Sequence, residues 1–300
     1  MTSPRYGHIA IATDFSEHAE RAVVIGADIA QRSGADVTLL HVFDPSPYMQ
    51  LLEPRSPDQA EQAMGDAARK ELERLAGEHL KGVERVRTAA LRHASAPAGI
   101  CEYAREHDVD LVVVGTQGRT GLARVLMGSC AARLVRHAHC DVLVVRGDTS
   151  DWNVRHIVAP TDLSDNASAA IAAAGQIHET FGGRLSLLHV LDETVPIPSI
   201  ETFGLANSDT LARRLKEDLE GIRTTLFVDD ETISSHVLVG ETPAPGICRW
   251  AKEHDAQLVV VATHGRTGLA AMLIGSVAEQ VVQQAPCPVL TVRGKTSDAS

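Results

Sequence analysis

AREHDVDLVVVGTQGRTGL, Ala104 to Leu122, is answered by AKEHDAQLVVVATHGRTGL, Ala251 to Leu269, a displacement of 251 − 104 = 147 positions. Upstream, HIAIATDFS at His8 returns as HIVAPTDLS at His156, and TLLHVFD at Thr38 returns as SLLHVLD at Ser186. Both are displaced by 156 − 8 = 186 − 38 = 148, so one deletion between the blocks accounts for the change. Such a unit is too long for a solenoid and has the size of a domain. The 300-residue chain therefore reads as a tandem duplication, 1–148 and 149–300, joined through the polar stretch GDTSDWN, Gly147 to Asn153.

Within the first half, short Val/Ile/Leu runs alternate with longer amphipathic segments. Strands are expected at HIAIA, DVTLLHV, VRTAAL, DLVVVG and DVLVVR, with helices over 17–32, 57–80, 97–107 and 129–137. The runs at Leu111–Val114 and Val142–Val145 are apolar on both faces, as in a parallel sheet covered by helices. Strand–helix alternation of this kind predicts a doubly wound, Rossmann-like α/β domain. Ligands of such sheets sit beyond the carboxyl ends of the strands, where the strand order reverses. Asp14, Val42 and Gly115 fall at such ends.

Hydrophobic residues make up 44% of the chain, ample for two cores. The formal net charge of −11 argues against nucleic acid or an anionic membrane as the main partner, since both need clustered Lys and Arg. No run is long enough to span a bilayer, and the start, MTSPRYGHIAIATDFS, lacks a signal-peptide pattern, so a cytoplasmic location is expected. The 5 cysteines form no C-x-x-C pair. Cys101 and Cys140 match Cys248 and Cys287, which reads as buried thiols repeated by descent, whereas Cys130 has Val277 as its counterpart and cannot carry chemistry common to both halves.

The strand at 111–115 opens a small-residue segment: Gly115, then Gly118, then nine residues before Gly128 and Ser129. Glycine permits positive φ and lets a ligand approach the main chain closely. A helix opening at Gly128–Ser129 offers unpaired N–H donors and a partial positive charge, which together make a phosphate seat. Taken singly, Gly and Ser are also ordinary loop and N-cap residues. The P-loop pattern G-x-x-x-x-G-K-[ST] does not occur, and the turn after the first strand is TDFS, not G-x-G-x-x-G.

G-x-x-G, nine residues, then G-[ST], on the fourth strand and helix of such a sheet, resembles the nucleotide-binding signature of the universal stress protein family. Thr13–Ser16 and Leu40–Val42 resemble it too, and the likeness covers one family unit per half. The resemblance implies a five-stranded parallel sheet of order 3-2-1-4-5, of the adenine nucleotide alpha hydrolase-like kind, that binds ATP, with Mg2+ a candidate companion. It implies adenosine contacts from Asp14 and Val42, with Gly115, Gly118, Gly128 and Ser129 around ribose and phosphates. The second site would use Asp162, Val190, Gly265, Gly275 and Ser276. There Ala262 replaces the first glycine; if that position needs positive φ, alanine costs about 1 kcal/mol, whereas an extended backbone would accept it. Site one therefore ranks first. The resemblance also implies pairing through the last strands, so that VLVVR at Val142 and VLTVR at Val289 make an intrachain pseudo-dimer; a homodimer of chains is an open alternative.

Other residues carry two readings. Arg119 and Arg266 screen phosphate or are solvated loop residues. Asp14 and Asp162 cap the next helix, or face ribose or a magnesium ion, and TDFSEHAE permits a capping box at Ser16. His41 and His189 read as buried or half-buried histidines with one hydrogen-bond partner rather than metal ligands. His264 has Gln117 as its counterpart, so shared catalysis cannot depend on it. The segments 44–58 and 192–209 read as lids or variable loops. The duplicated glycine signature and the family resemblance, with no general base or metal cluster evident, imply an ATP-binding stress-response regulator as the expected function. The alternatives are slow ATP hydrolysis and a scaffold with a vestigial second cleft.

Overall fold

The computed structural model describes residues 5–46, 57–116, 128–146, 152–192, 208–228, 230–263 and 274–294. The chain divides into two compact units, Met1–Ser150 and Asp151–Ser300.

In the first unit the elements alternate throughout: β1 (His8–Ala12), α1 (Glu17–Ser33), β2 (Asp36–Phe43), α2 (Pro57–His79), β3 (Val86–Arg92), α3 (Ala96–Glu106), β4 (Leu111–Gly115), α4 (Ser129–His137) and β5 (Asp141–Val145). The strands lie side by side as β3-β2-β1-β4-β5, all parallel. The second unit repeats this with β6 (His156–Pro160), α5 (Asp165–Phe181), β7 (Arg184–Leu191), α6 (Ser208–Leu226), β8 (Ile233–Val239), α7 (Pro243–Glu253), β9 (Leu258–Ala262), α8 (Ser276–Gln284) and β10 (Val289–Val292). Its order is β8-β7-β6-β9-β10. The order 3-2-1-4-5 expected from the resemblance is present in each unit.

The local causes are legible in the sequence. Every residue of β5 is buried, as are Leu111 to Val114 of β4, because helices cover both faces of the sheet and leave a continuous apolar run as the stable choice. Helix α1 turns alanines and branched residues inward, including Ala22, Val23 and Ala30, and its amphipathic period accounts for the burial. Ser16 caps it by accepting the amide of Ala19 at 3.3 Å. Strand β4 begins one residue later than DLVVVG suggests. Asp110 instead accepts the amides of Gly7 (2.8 Å) and His8 (2.9 Å) with one carboxylate oxygen, fastening the entry of β1.

The core strands β1 and β4 are adjacent, with Ala12 beside Val114, while the chain runs from β1 toward β2 on one side and from β4 toward β5 on the other. The strand order reverses between them, and a crevice opens at their carboxyl ends.

Candidate functional site

In the first unit that crevice is a cleft of about 230 Å³. Leu40, Val42, Ile100 and Val114 supply apolar walls, Asp14 a carboxylate, and Gly115, Thr116 and Gly128 a floor of main chain. The second unit has the matching cleft, about 310 Å³, among Asp162, Leu188, Val190, Ile247, Val261, Ala262, Gly275 and Ser276. Asp14, Val42, Gly115 and Gly128 are thus brought together, as are Asp162, Val190, Gly275 and Ser276. Ser129 is exposed at the start of α4. Gly118, Arg119, Gly265 and Arg266, with Gln117 and His264, lie outside the described residues.

Asp14 is held by its own turn. Its Oδ1 accepts the Ser16 amide at 3.1 Å and the Ser16 hydroxyl at 2.6 Å, while Thr13 Oγ1 accepts the Phe15 amide at 3.0 Å. The second unit repeats each contact, with Asp162 Oδ1 accepting from Ser164 N (3.0 Å) and Oγ (2.6 Å). The side chain that caps the helix is therefore serine, and the aspartate orients that serine. The capping box considered for Ser16 reduces to this simpler cap. His41 is half-buried and bonds through Nδ1 to the Thr13 carbonyl at 2.8 Å; His189, buried, does the same to Thr161 at 2.9 Å. Both match the expected histidine with a hydrogen-bond partner.

The glycines act differently from the expectation. Gly128 has φ −55° and Gly275 φ −61°, and neither Gly115 nor Ala262 adopts positive φ, so conformational freedom is not what those positions need. Gly128 is required by close approach. Its amide donates to the Thr116 carbonyl at 2.7 Å, and a β-carbon there would lie 2.7 Å from the same oxygen. Gly275 likewise donates to Thr263 at 2.7 Å. These amides close the base of the loop, so they are not donors to a ligand. At Gly115 a β-carbon would meet the His18 carbonyl at 3.3 Å, a tight but not prohibitive approach. Ala262 occupies the equivalent end of β9, so the 1 kcal/mol penalty conditional on positive φ does not arise.

Helix termini supply polarity instead. Among the described residues no side chain caps α4 or α8, in contrast to α1 and α5, whose first turns are closed by Ser16 and Ser164. Gly128, Cys130 and Ala131, at the amino end of α4, line the first cleft, which puts the positive end of the helix dipole at its edge.

Some lining residues carry no signal in sequence. Ile100 and Ala96 read simply as core, and only the fold places them at the crevice. Cys130 also lines the first cleft, where Val277 stands in the second. Burial, and then the neighbouring Cys101 and Asp14, push its thiol up to about 11.

The sequence profile of the universal stress protein family matches residues 5–146 and again 153–293. The chain belongs to the universal stress protein family. Tandem membership is shared with a universal stress protein of Mycobacterium tuberculosis, 28% identical over 306 residues that cover 98% of this chain and 99% of that one. A universal stress protein of Mycolicibacterium smegmatis is 29% identical over 302 residues, again 98% and 99%. Among solved structures, a universal stress protein from Archaeoglobus fulgidus superposes with TM-score 0.69 over 98% of this chain and 99% of that one, at 18% identity, a likeness of fold. Among the described residues no helix is long and apolar enough to cross a membrane.

Proposed function

We propose that this universal stress protein binds adenine nucleotide at the β1–β4 crevice of its first unit, with ATP the preferred form, and serves in the cytoplasm as a nucleotide-dependent stress regulator. The observation that carries this reading is the pairing of an apolar slot, edged by the Asp14 carboxylate, with the amino end of α4, whose Gly128, Cys130 and Ala131 line the same cleft. An apolar wall takes a planar base, a carboxylate accepts from ribose hydroxyls, and a helix terminus takes a phosphate tail. The matching cleft around Asp162 and Val190 is the second site, ranked lower because the methyl group of Ala262 narrows the approach where the first cleft has Gly115.

Magnesium fits this reading as a companion of the triphosphate. Among the described residues, the one close group of potential metal ligands is Glu20, Glu78 and His79, none of which lines either cleft. Among the described residues lining the first cleft, Asp14 is the carboxylate that a phosphate-bound ion would meet, and the remaining oxygen ligands would be phosphate and water. The pairing of the halves as an intrachain pseudo-dimer, and any association of two chains, belong to the same proposal; sedimentation velocity on the full chain reports the latter.

Calorimetric titration of the full chain with ATP, with and without magnesium, tests the reading. Saturable binding below millimolar concentration is expected, weakened by Asp14→Asn, a change that keeps an oxygen for Ser16 while removing the charge. Heat no greater than dilution up to several millimolar would remove the proposal, and two equivalent sites per chain would overturn the ranking.

A further inference from the structure

Of the two matched pairs of non-glycine residues with left-handed backbone among the described residues, one is bulky and apolar: Phe15, φ 64°, and Leu163, φ 62°. For bulky side chains this conformation is strained, and strain of this kind persists only where the surroundings over-determine it. The side chains themselves differ, an aromatic ring in one unit and a branched alkyl group in the other. Something common to both turns must hold them.

The common elements are few. In each unit the threonine before the aspartate donates its amide to the second strand of the sheet, Thr13 to Leu40 and Thr161 to Leu188, both at 2.9 Å. In each, the next strand residue is a histidine whose Nδ1 returns to that threonine's carbonyl, at 2.8 Å for His41 and 2.9 Å for His189. The Phe15 ring also lies on the His41 imidazole, centroids 4.2 Å apart, but Leu163 has no ring to offer, so of the two histidine contacts only the hydrogen bond is shared, alongside the repeated threonine and aspartate contacts of the turn itself.

We infer that His41 and His189 are positioning residues, each locked as the Nδ1-protonated tautomer and clamping the peptide that presents the cleft aspartate. A carbonyl oxygen only accepts, so the ring nitrogen facing it must carry the proton. The clamped peptide links Thr13 to Asp14, and its orientation sets where the carboxylate of Asp14 stands relative to the cleft. Thr13 Oγ1 then receives the Phe15 amide, and Asp14 receives the Ser16 amide, so the strained residue is tied on both sides. The consequence for ligand affinity rests on the nucleotide reading above; the tautomer does not.

The experiment is therefore made in two arms on the full chain. Long-range 1H–15N spectra of histidine-labelled, ligand-free protein report the tautomers, with His41→Gln and His189→Gln used to identify the two signals. Both rings are expected to carry hydrogen on Nδ1, and neutral rings protonated on Nε2 would overturn the inference whatever the protein binds. For the second arm, asparagine places an amide N–H where Nδ1 stands, whereas glutamine carries it out to the place of Nε2. The paired variant His41→Asn/His189→Asn should retain ATP affinity within about twofold, and His41→Gln/His189→Gln should lose about tenfold. Equal affinity for the two pairs would overturn the positioning role. If the wild-type chain takes up no ATP, the nucleotide reading fails, and the tautomer spectra decide the clamp.

Discussion

Gly128 and Thr116 meet main chain to main chain, the amide of one on the carbonyl of the other at 2.7 Å. This contact joins the end of β4 to the start of α4 and closes the base of the loop between them. Any β-carbon at residue 128 would be driven into the Thr116 oxygen. Gly128→Ala is expected to cost about 1–3 kcal/mol and to displace the amino end of α4. Urea unfolding of the variant measures the first effect, and a weakened ATP titration the second. A variant as stable as wild type would show that the contact is not needed.

Cys130 offers a contrasting substitution, because the second cleft already carries valine at that place. Cys130→Val should change stability by less than about 1.5 kcal/mol, as volume-conserving apolar exchanges do. In the wild-type chain, a thiol raised to about 11 holds almost no thiolate near neutrality, so labelling of Cys130 by a disulfide reagent at pH 7.5 should be far slower than that of an ordinary thiol. Labelling followed by peptide mass spectrometry checks this, and rapid modification of residue 130 would contradict it.

The first unit has an anchor that its repeat does without. Asp141, buried at the start of β5, bonds to Arg5 and accepts from the Tyr6 hydroxyl at 3.2 Å, and burial pushes the Tyr6 phenol well above its usual range. Pro288 occupies the matching position before β10 and has no ionisable group. Asp141→Ala would leave Arg5 and Tyr6 without their carboxylate and is expected to destabilise by about 3–5 kcal/mol. Calorimetric melting would register it, and a loss below about 1 kcal/mol would show the anchor to be dispensable.

Acid should act on the second unit through His156 and His236. His156 is buried, with Nδ1 on the His254 carbonyl and Nε2 on Ser186 Oγ, both at 2.9 Å, and burial is the main cause that lowers its pKa. That of His236 is lowered by burial and then by His254, Lys216 and His156. A base whose folded pKa lies below its unfolded value binds more protons when unfolded. Stability from these groups is therefore present above about pH 6.5 and is lost as pH falls through 6.5 toward the lowered values. Both tryptophans of the chain, Trp152 and Trp250, lie in this unit, and Trp250 packs against His156 and His236 and stacks on His254 at 3.9 Å. Thermal melts followed by tryptophan fluorescence should shift downward between pH 7.5 and 5.5. An unchanged midpoint would refute the assignment.

Periodicity and repetition carried the architecture into plain sight: buried strands such as LVVV have one sensible use, and a duplicated chain provides its own internal control. The turn at Asp14 and the slot beside Val42 were legible for the same reason, since residues at strand ends line the crevice. The work of individual atoms was not legible. Whether Gly128 yields φ or space depends on the Thr116 oxygen, which composition does not locate. Likewise, nothing in LHV announces that His41 reaches across to Thr13, because that contact exists only once β1 and β2 are in register.

The left-handed turns at Phe15 and Leu163 also bear on attempts to toughen this chain against heat. Glycine at either site would adopt the same dihedral without penalty, but would widen the choice of unfolded conformations and slacken the bend that aims the carboxylate. Designers who relax every awkward torsion would thus blunt a gunsight in the course of oiling it; the durable route lies in reinforcing the packing around those two bends and leaving their tension alone.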